Sequence, residues 1–169
     1  MSDEGFGVPR REGDQLALRY ERRYEATPDE VWSAVTEPES INRWLFADSV
    51  IEPRVGGVFR LTWDENHATG SVLAWEPPRV LEVEWLESDL QSILRIEISA
   101  VDGGTLLVLD HRKLTREPAL RVGPGWHAHL DTLGTLLAGR GESVEAWRDH
   151  YEALRPRYAD LVADDQSTI

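Results

Sequence analysis

The 169-residue sequence contains no cysteine. That excludes disulfides, thiolate metal sites and a cysteine nucleophile. Lysine is almost absent: Lys113 stands alone among 18 basic residues, an arginine bias that reads as the mark of a GC-rich genome. No apolar run approaches the ~20 residues that span a bilayer. The opening MSDEGFGVPRREGDQ lacks the apolar stretch of a secretory signal. A cytoplasmic location is the expectation. Positive charge is scarce, with 31 acidic residues giving a formal net charge of −13. A duplex-binding protein needs a basic footprint to release counterions. Neither nucleic acid nor an anionic membrane is therefore an expected partner. What the sequence does have is tryptophan, seven residues within a 41% hydrophobic fraction. This length suits one domain with its own core.

Taken in order, residues 1–15 are rich in glycine and charge, and a mobile tail is expected there. Leu16–Glu25 alternates weakly, as a first strand. Thr27, Pro28 and Glu30 form a capping-box pattern that starts a short helix through Val31, Trp32 and Val35. Pro38 starts a second, with Ile41, Trp44 and Leu45 as its apolar side. Strand-like segments follow, divided by Gly56-Gly57, Asp64–His67, Pro77-Pro78 and Asp102-Gly103-Gly104. The clearest period-two signals are Leu81, Val83 and Trp85, and then Leu94, Ile96 and Ile98. In Val72–Trp75 the inward face is ambiguous, because all four residues are apolar.

The last part of the chain is helical. Gly123–Gly139 places Trp126, Leu130, Leu133 and Leu137 on one stripe, with Leu136 and His129 at its edge. His127, Asp131, Thr132 and Thr135 lie on the other side. Gly123-Pro124-Gly125 reads as the helix start, where free N–H groups favour an anion. Trp147, Tyr151, Leu154, Tyr158 and Leu161 mark a further amphipathic helix, with a kink or break expected at Pro156. Strands segregated from helices indicate an α+β domain. Six or seven antiparallel strands would curl by their twist around the long helix. The expected division is a tail at 1–15, the main domain at 16–139, an additional helix at 140–162 packed on or beside it, and a tail at 163–169.

The run Tyr24–Thr36 with Pro38–Trp44 resembles the opening of SRPBCC (START-like) domains. More narrowly, it is similar to the branch named after the activator of heat-shock-protein-ninety ATPase. Gly56-Gly57-Val58-Phe59, Gly70–Leu73 with Glu76–Pro78 and Trp85, Thr105–His111, and Gly125-Trp126 continue the resemblance over residues 18–139. It implies a helix-grip fold, a curved antiparallel sheet around a long helix with a ligand cavity between them. It does not imply one chemistry, since such domains include lipid carriers, cyclases, hormone receptors and co-chaperones.

Alternation and the helical wheel turn Trp44, Phe59, Leu61, Trp63, Trp85, Leu94, Ile96, Leu107, Leu109, His111, Trp126, His129, Leu130 and Leu133 inward. These are the expected cavity-lining residues. His111 and His129 would present polar nitrogens to an apolar space. No inward carboxylate pairs with either, so no catalytic residue is assigned. His127 and His129 lie about 200° apart on the helix, unlike the spacing of four that helical zinc pairs use. No metal and no cofactor are expected. The first reading is a small hydrophobic or aromatic molecule bound under the Trp126 helix. The alternatives are an acid–base enzyme of cyclase or hydratase type, and a co-chaperone-like module or homodimer using the acidic surface and the helix bearing Trp147, Tyr151 and Tyr158.

Overall fold

The computed structural model describes residues 5–88 and 90–167. Among them are eight strands and four helices. The strands are β1 (Val8–Glu12), β2 (Gln15–Tyr24), β3 (Asp48–Ile51), β4 (Val58–Trp63), β5 (Asn66–Glu76), β6 (Val80–Glu87), β7 (Leu90–Val101) and β8 (Gly104–Leu114). The helices are α1 (Pro28–Thr36), α2 (Pro38–Leu45), α3 (Arg116–Leu137) and α4 (Val144–Ser167). All strands join one antiparallel sheet in the order β1-β2-β8-β7-β6-β5-β4-β3. Together with α3 this is an α+β, helix-grip arrangement.

Local chemistry sets the start of α1. The Glu30 N–H donates to Thr27 Oγ1 and the Thr27 N–H to Glu30 Oε2, each at 3.2 Å, so the capping box forms as expected. On β6 and β7, Leu81, Val83, Trp85, Leu94, Ile96 and Ile98 are buried, while Glu82 and Glu84 are only partly covered and Glu97 is exposed. The ambiguity in β5 resolves through a register shift between Val72 and Ala74. Val72 is buried and Leu73 exposed, and Trp75 packs edge-on against Trp32. A bulge of this kind re-aims side chains and leaves the mean pairing intact.

Three expectations are corrected. The segment expected as a tail contains an additional strand, β1: Gly13-Asp14 turns the chain so that Glu12 pairs with Gln15 and Val8 with Arg19. Its sequence, VPRRE, carries no apolar alternation. As an edge strand it is held by backbone pairing and by Arg10, whose guanidinium meets Asp110 at 3.2 Å. The long helix begins at Arg116, seven residues before Gly123. Pro118 falls in its first turn, where no N–H is needed. Pro124 lies in its interior, so Gly123-Pro124-Gly125 offers no helix N-terminus for an anion. Propensity is overridden by packing: Ala119, Val122, Trp126, Leu130 and Leu133 are all buried. Finally, α4 is continuous through Pro156 and runs to Ser167, past the expected end of this helix at 162. Thr168 and Ile169, at the end of the expected tail, lie outside the described residues.

Gly123 has a packing purpose. A Cβ there would stand 2.8 Å from Tyr158 Cδ1, so the glycine lets α4 lay an aromatic ring on the backbone of α3.

Candidate functional site

The interior beneath α3 is almost filled. The space bordered by Val35, Ile41, Trp44, Leu45, Phe59, Leu61, Leu94, Ile96 and their neighbours amounts to only about 20 Å³. That is about the room of one water molecule. The large space lies at one end of the helix, in a cleft of about 570 Å³. Its walls come from the end of α2 (Leu45, Phe46), the β4–β5 turn (Trp63, Asp64, Asn66) and the end of β6 (Trp85, Glu87) with Ser88. On the helical side they come from α3 (Arg121, Val122, Gly125, Trp126, His129) and α4 (Val144, Trp147, Arg148, Tyr151).

Of the expected lining residues, Trp63, Trp85, Trp126 and His129 border this cleft. Trp44, Phe59, Leu61, Leu94 and Ile96 border the small void, as do Trp85 and Trp126 from its cleft side. Leu107, Leu109, His111, Leu130 and Leu133 are fully buried and border neither space. Phe46, Trp147 and Tyr151 were not among the expected residues. Phe46 sits at a helix end with φ 55°, a conformation no spacing rule reveals. Trp147 and Tyr151 had a legible amphipathic pattern, but nothing in it shows which face of the domain α4 covers.

The two inward histidines have different roles. His111 lies in a closed hydrogen-bond chain. The Trp126 indole N–H donates to His111 Nδ1 at 2.9 Å. An indole N–H can only donate, so Nδ1 carries no proton and Nε2 does. His111 Nε2 then donates to Ser92 Oγ at 2.8 Å, and the Ser92 hydroxyl donates to the Trp85 carbonyl at 2.8 Å. Every polar hydrogen in the chain is used. Burial, reinforced by the Arg121 charge, lowers the His111 pKa to about 3. His111 therefore stays a neutral positioning group that orients Trp126.

His129 is bound on one side only. Its Nδ1 lies 2.9 Å from the Trp44 carbonyl, which can only accept, so Nδ1–H donates and Nε2 keeps a free lone pair. Burial lowers its pKa to about 4, against the opposing effect of the Trp44 carbonyl. Its ring stacks on Trp147 at 4.5 Å between centroids, and Trp147 stacks on Tyr151 at 5.4 Å. The cleft thus presents a ladder of rings and one neutral acceptor. Trp147 Nε1 is buried without a hydrogen-bond partner among the described residues. Polar groups gather near the rim: Glu87 accepts from Trp85 Nε1 at 2.6 Å and from Arg121 at 3.3 Å, beside exposed Arg148, Asp64 and Asn66.

A second polar cluster lies in the seam between α3 and α4. His127 and His129 do diverge on α3, but His127 is buried, because α4 covers the face opposite the apolar stripe. His127 Nδ1 lies 2.9 Å from Tyr158 Oη, and its Nε2 lies 3.4 Å from Asp131 Oδ2. His150 Nε2 approaches the same oxygen at 2.7 Å, and Arg22 holds the other, Oδ1, at 2.7 Å. Burial alone would raise the Asp131 pKa, but the His127 hydrogen bond, the Arg22 charge and His150 together bring it down to about 2.

No helix among the described residues is long and apolar enough to cross a membrane. The chain resembles several solved structures. The crystal structure of CalU16 from Micromonospora echinospora is 32% identical over 93% of this chain and 96% of that one, with a TM-score of 0.74. A conserved protein of unknown function, EF2215 from Enterococcus faecalis, shares the fold at 19% identity, with a TM-score of 0.77 over 94% of this chain and 91% of its own. The solution structure of the Aha1 dimer from Colwellia psychrerythraea shares the fold at 14% identity and a TM-score of 0.65, over 72% of this chain and 95% of its own. No curated protein sequence matches the chain at a significant level. A family model matches residues 25–138 and so stops short of α4, whereas a match over 93% of the chain, as with CalU16, has to run into that helix. With most of the sheet and all of α3 up to Leu137 inside the matched region, the chain belongs to the family described as activator of Hsp90 ATPase homolog 1-like protein.

Proposed function

We propose that this protein binds a small, flat, largely apolar molecule in the cleft between α3, α4 and the β4–β5 turn. The observation that carries this reading is the cleft itself: about 570 Å³, walled by Phe46, Trp63, Trp85, Trp126, Trp147 and Tyr151. That volume lies within the range of pockets for drug-sized ligands, which are mostly apolar with a few placed polar groups. An aromatic ligand would lie against the Trp126 and Trp147 rings. His129 Nε2 would accept a hydrogen bond from a ligand hydroxyl or amide, and a polar end would meet Arg121, Arg148 or Asp64 at the rim.

Binding without transformation is the better-supported reading. A general base needs a pKa near the operating pH and reach to a substrate. His111 has both nitrogens engaged, and its pKa is lowered to about 3. His129 has a free nitrogen, but its pKa is lowered to about 4 and a backbone carbonyl, not a carboxylate, orients it.

The test is fluorescence titration with anilinonaphthalene sulfonate, an aromatic probe with one anionic end. We expect saturable one-to-one binding. Trp147→Ala should weaken it about tenfold, since an aromatic contact contributes ~0.5–1.5 kcal/mol beyond its area. Undiminished affinity in Trp147→Ala would place the bound molecule elsewhere.

A further inference from the structure

We propose that His127, Asp131 and His150 form a binding site for one divalent transition-metal ion of the zinc type, bridging α3 and α4. One potential ligand atom from each of the three residues lies within 4.8 Å of the other two, and both His127 Nε2 and His150 Nε2 approach Asp131 Oδ2. Ligands ~2.0–2.1 Å from a tetrahedral zinc are about 3.3 Å apart. The Asp131–His127 separation of 3.4 Å already matches this, and the Asp131–His150 separation of 2.7 Å needs a small outward rotation of an imidazole. His127 and Asp131 are four residues apart on one helix, a spacing that puts two side chains on the same face.

The surroundings are compatible with a metal. Arg22 occupies Asp131 Oδ1 and leaves Oδ2 as a monodentate ligand. A metal-bound His127 must carry its proton on Nδ1, opposite the metal. Tyr158 Oη already accepts from the Gly7 N–H at 2.7 Å, and its second lone pair would accept from His127 Nδ1–H once the phenol hydrogen turns away. A hydrogen bond of this type is the usual orienting contact of a ligating histidine. Burial keeps the Tyr158 phenol protonated far above neutrality, which leaves it an orienting group and not a ligand. Asp131 and His150 are about two-fifths exposed, at 42% and 39%, so an ion can enter from solvent and water can complete the shell. Two imidazoles and one carboxylate suit zinc better than magnesium or calcium, which prefer all-oxygen shells. The net charge of −13 favours cations generally. Bound metal would fasten α4 to α3 within one turn of Trp147 and Tyr151, and so hold the wall of the cleft. The inference does not depend on what the cleft binds.

The test is calorimetric titration of untagged, chelator-treated protein with ZnCl₂, together with Co²⁺ absorption spectroscopy. One equivalent should bind saturably at micromolar protein, and Co²⁺ should show the intense visible bands of a four-coordinate ion. His150→Ala removes a surface ligand without opening the core. It should lower zinc affinity by about 100-fold or more, with an unchanged far-ultraviolet spectrum. Failure of the wild-type protein to take up one equivalent, or binding by His150→Ala equal to wild type, would overturn the proposal.

Discussion

Replacing His111 with phenylalanine is expected to destabilise the protein by about 2–4 kcal/mol at pH 7, and by much less at pH 5. The substitution leaves two buried groups unpaired, the Trp126 indole N–H and one side of the Ser92 hydroxyl. Each unsatisfied buried group costs ~1–3 kcal/mol. The pH term has a definite sign. The folded-state pKa of His111 is depressed to about 3, from 6.5 when unperturbed, so between those values the unfolded chain binds a proton that the folded chain refuses. The contribution of neutral His111 is full above pH 6.5 and is lost as pH falls toward 3. At ~1.36 kcal/mol per pH unit, the wild type loses about 2 kcal/mol between pH 6.5 and pH 5 from this residue alone. His111→Phe loses nothing by this route, so the difference between the two proteins should narrow by that amount. Urea unfolding of both proteins at several pH values measures it. A difference that stays constant with pH would mean that the folded protein accommodates a charged His111, and the closed chain from Trp126 to Trp85 would then be wrong.

Tyr158→Ala is expected to have an effect at least as large. Tyr158 is fully buried, and it joins three segments. Its ring lies on Gly123 of α3 and 5.3 Å from Phe6, and its hydroxyl accepts from the Gly7 N–H at 2.7 Å. Truncating a buried aromatic residue costs ~3–5 kcal/mol, which corresponds to a fall in melting temperature of about 6–20 °C for a chain of this size. The loss should not be spread evenly. Amide hydrogens of α4 should exchange much faster, and probe binding in the cleft should fall with them, because α4 supplies Val144, Trp147, Arg148 and Tyr151 to its wall. Calorimetry and hydrogen exchange on the same variant separate the two effects. Unchanged α4 exchange would show that this helix is held by something other than Tyr158.

Much of the fold was legible because its signals are local. The Thr27–Glu30 capping box, the alternation through Leu81–Trp85 and Leu94–Ile98, and the Trp126–Leu133 stripe each report on one face of one element. What was not legible depends on contacts between distant segments. VPRRE becomes a strand only because Gly13-Asp14 returns it to β2, and it has no apolar pattern to announce this. Gly123-Pro124-Gly125 has the composition of a helix boundary, yet tertiary packing carries α3 through it. The site shows the same division. Period and wheel place His129 and the tryptophans on inward faces. They do not say whether the interior is filled, and side-chain volumes leave only about 20 Å³ there. The open space sits where α4 meets one end of the sheet and α3, and its α4 wall lies beyond the region carrying the family resemblance. His127, Asp131 and His150 were missed for a related reason. The same spacing of four that argued against a His127–His129 pair favours His127 with Asp131, but the third ligand is on a helix whose docking face no local pattern gives.

The seven tryptophans are themselves reporters of where a molecule binds. Each indole N–H gives its own resonance in a ¹H–¹⁵N spectrum, and they divide by location. Trp63, Trp85, Trp126 and Trp147 border the cleft. Trp44 borders only the small internal void, and its N–H is held by the Ala34 carbonyl. Trp32 and Trp75 pack on each other, away from both spaces. Titrating labelled protein with the aromatic probe should shift the Trp147, Trp126, Trp63 and Trp85 signals together along one saturation curve and leave Trp32, Trp75 and Trp44 in place. Movement of Trp44 with Trp147 unmoved would put the ligand in the interior of the helix-grip and contradict the cleft.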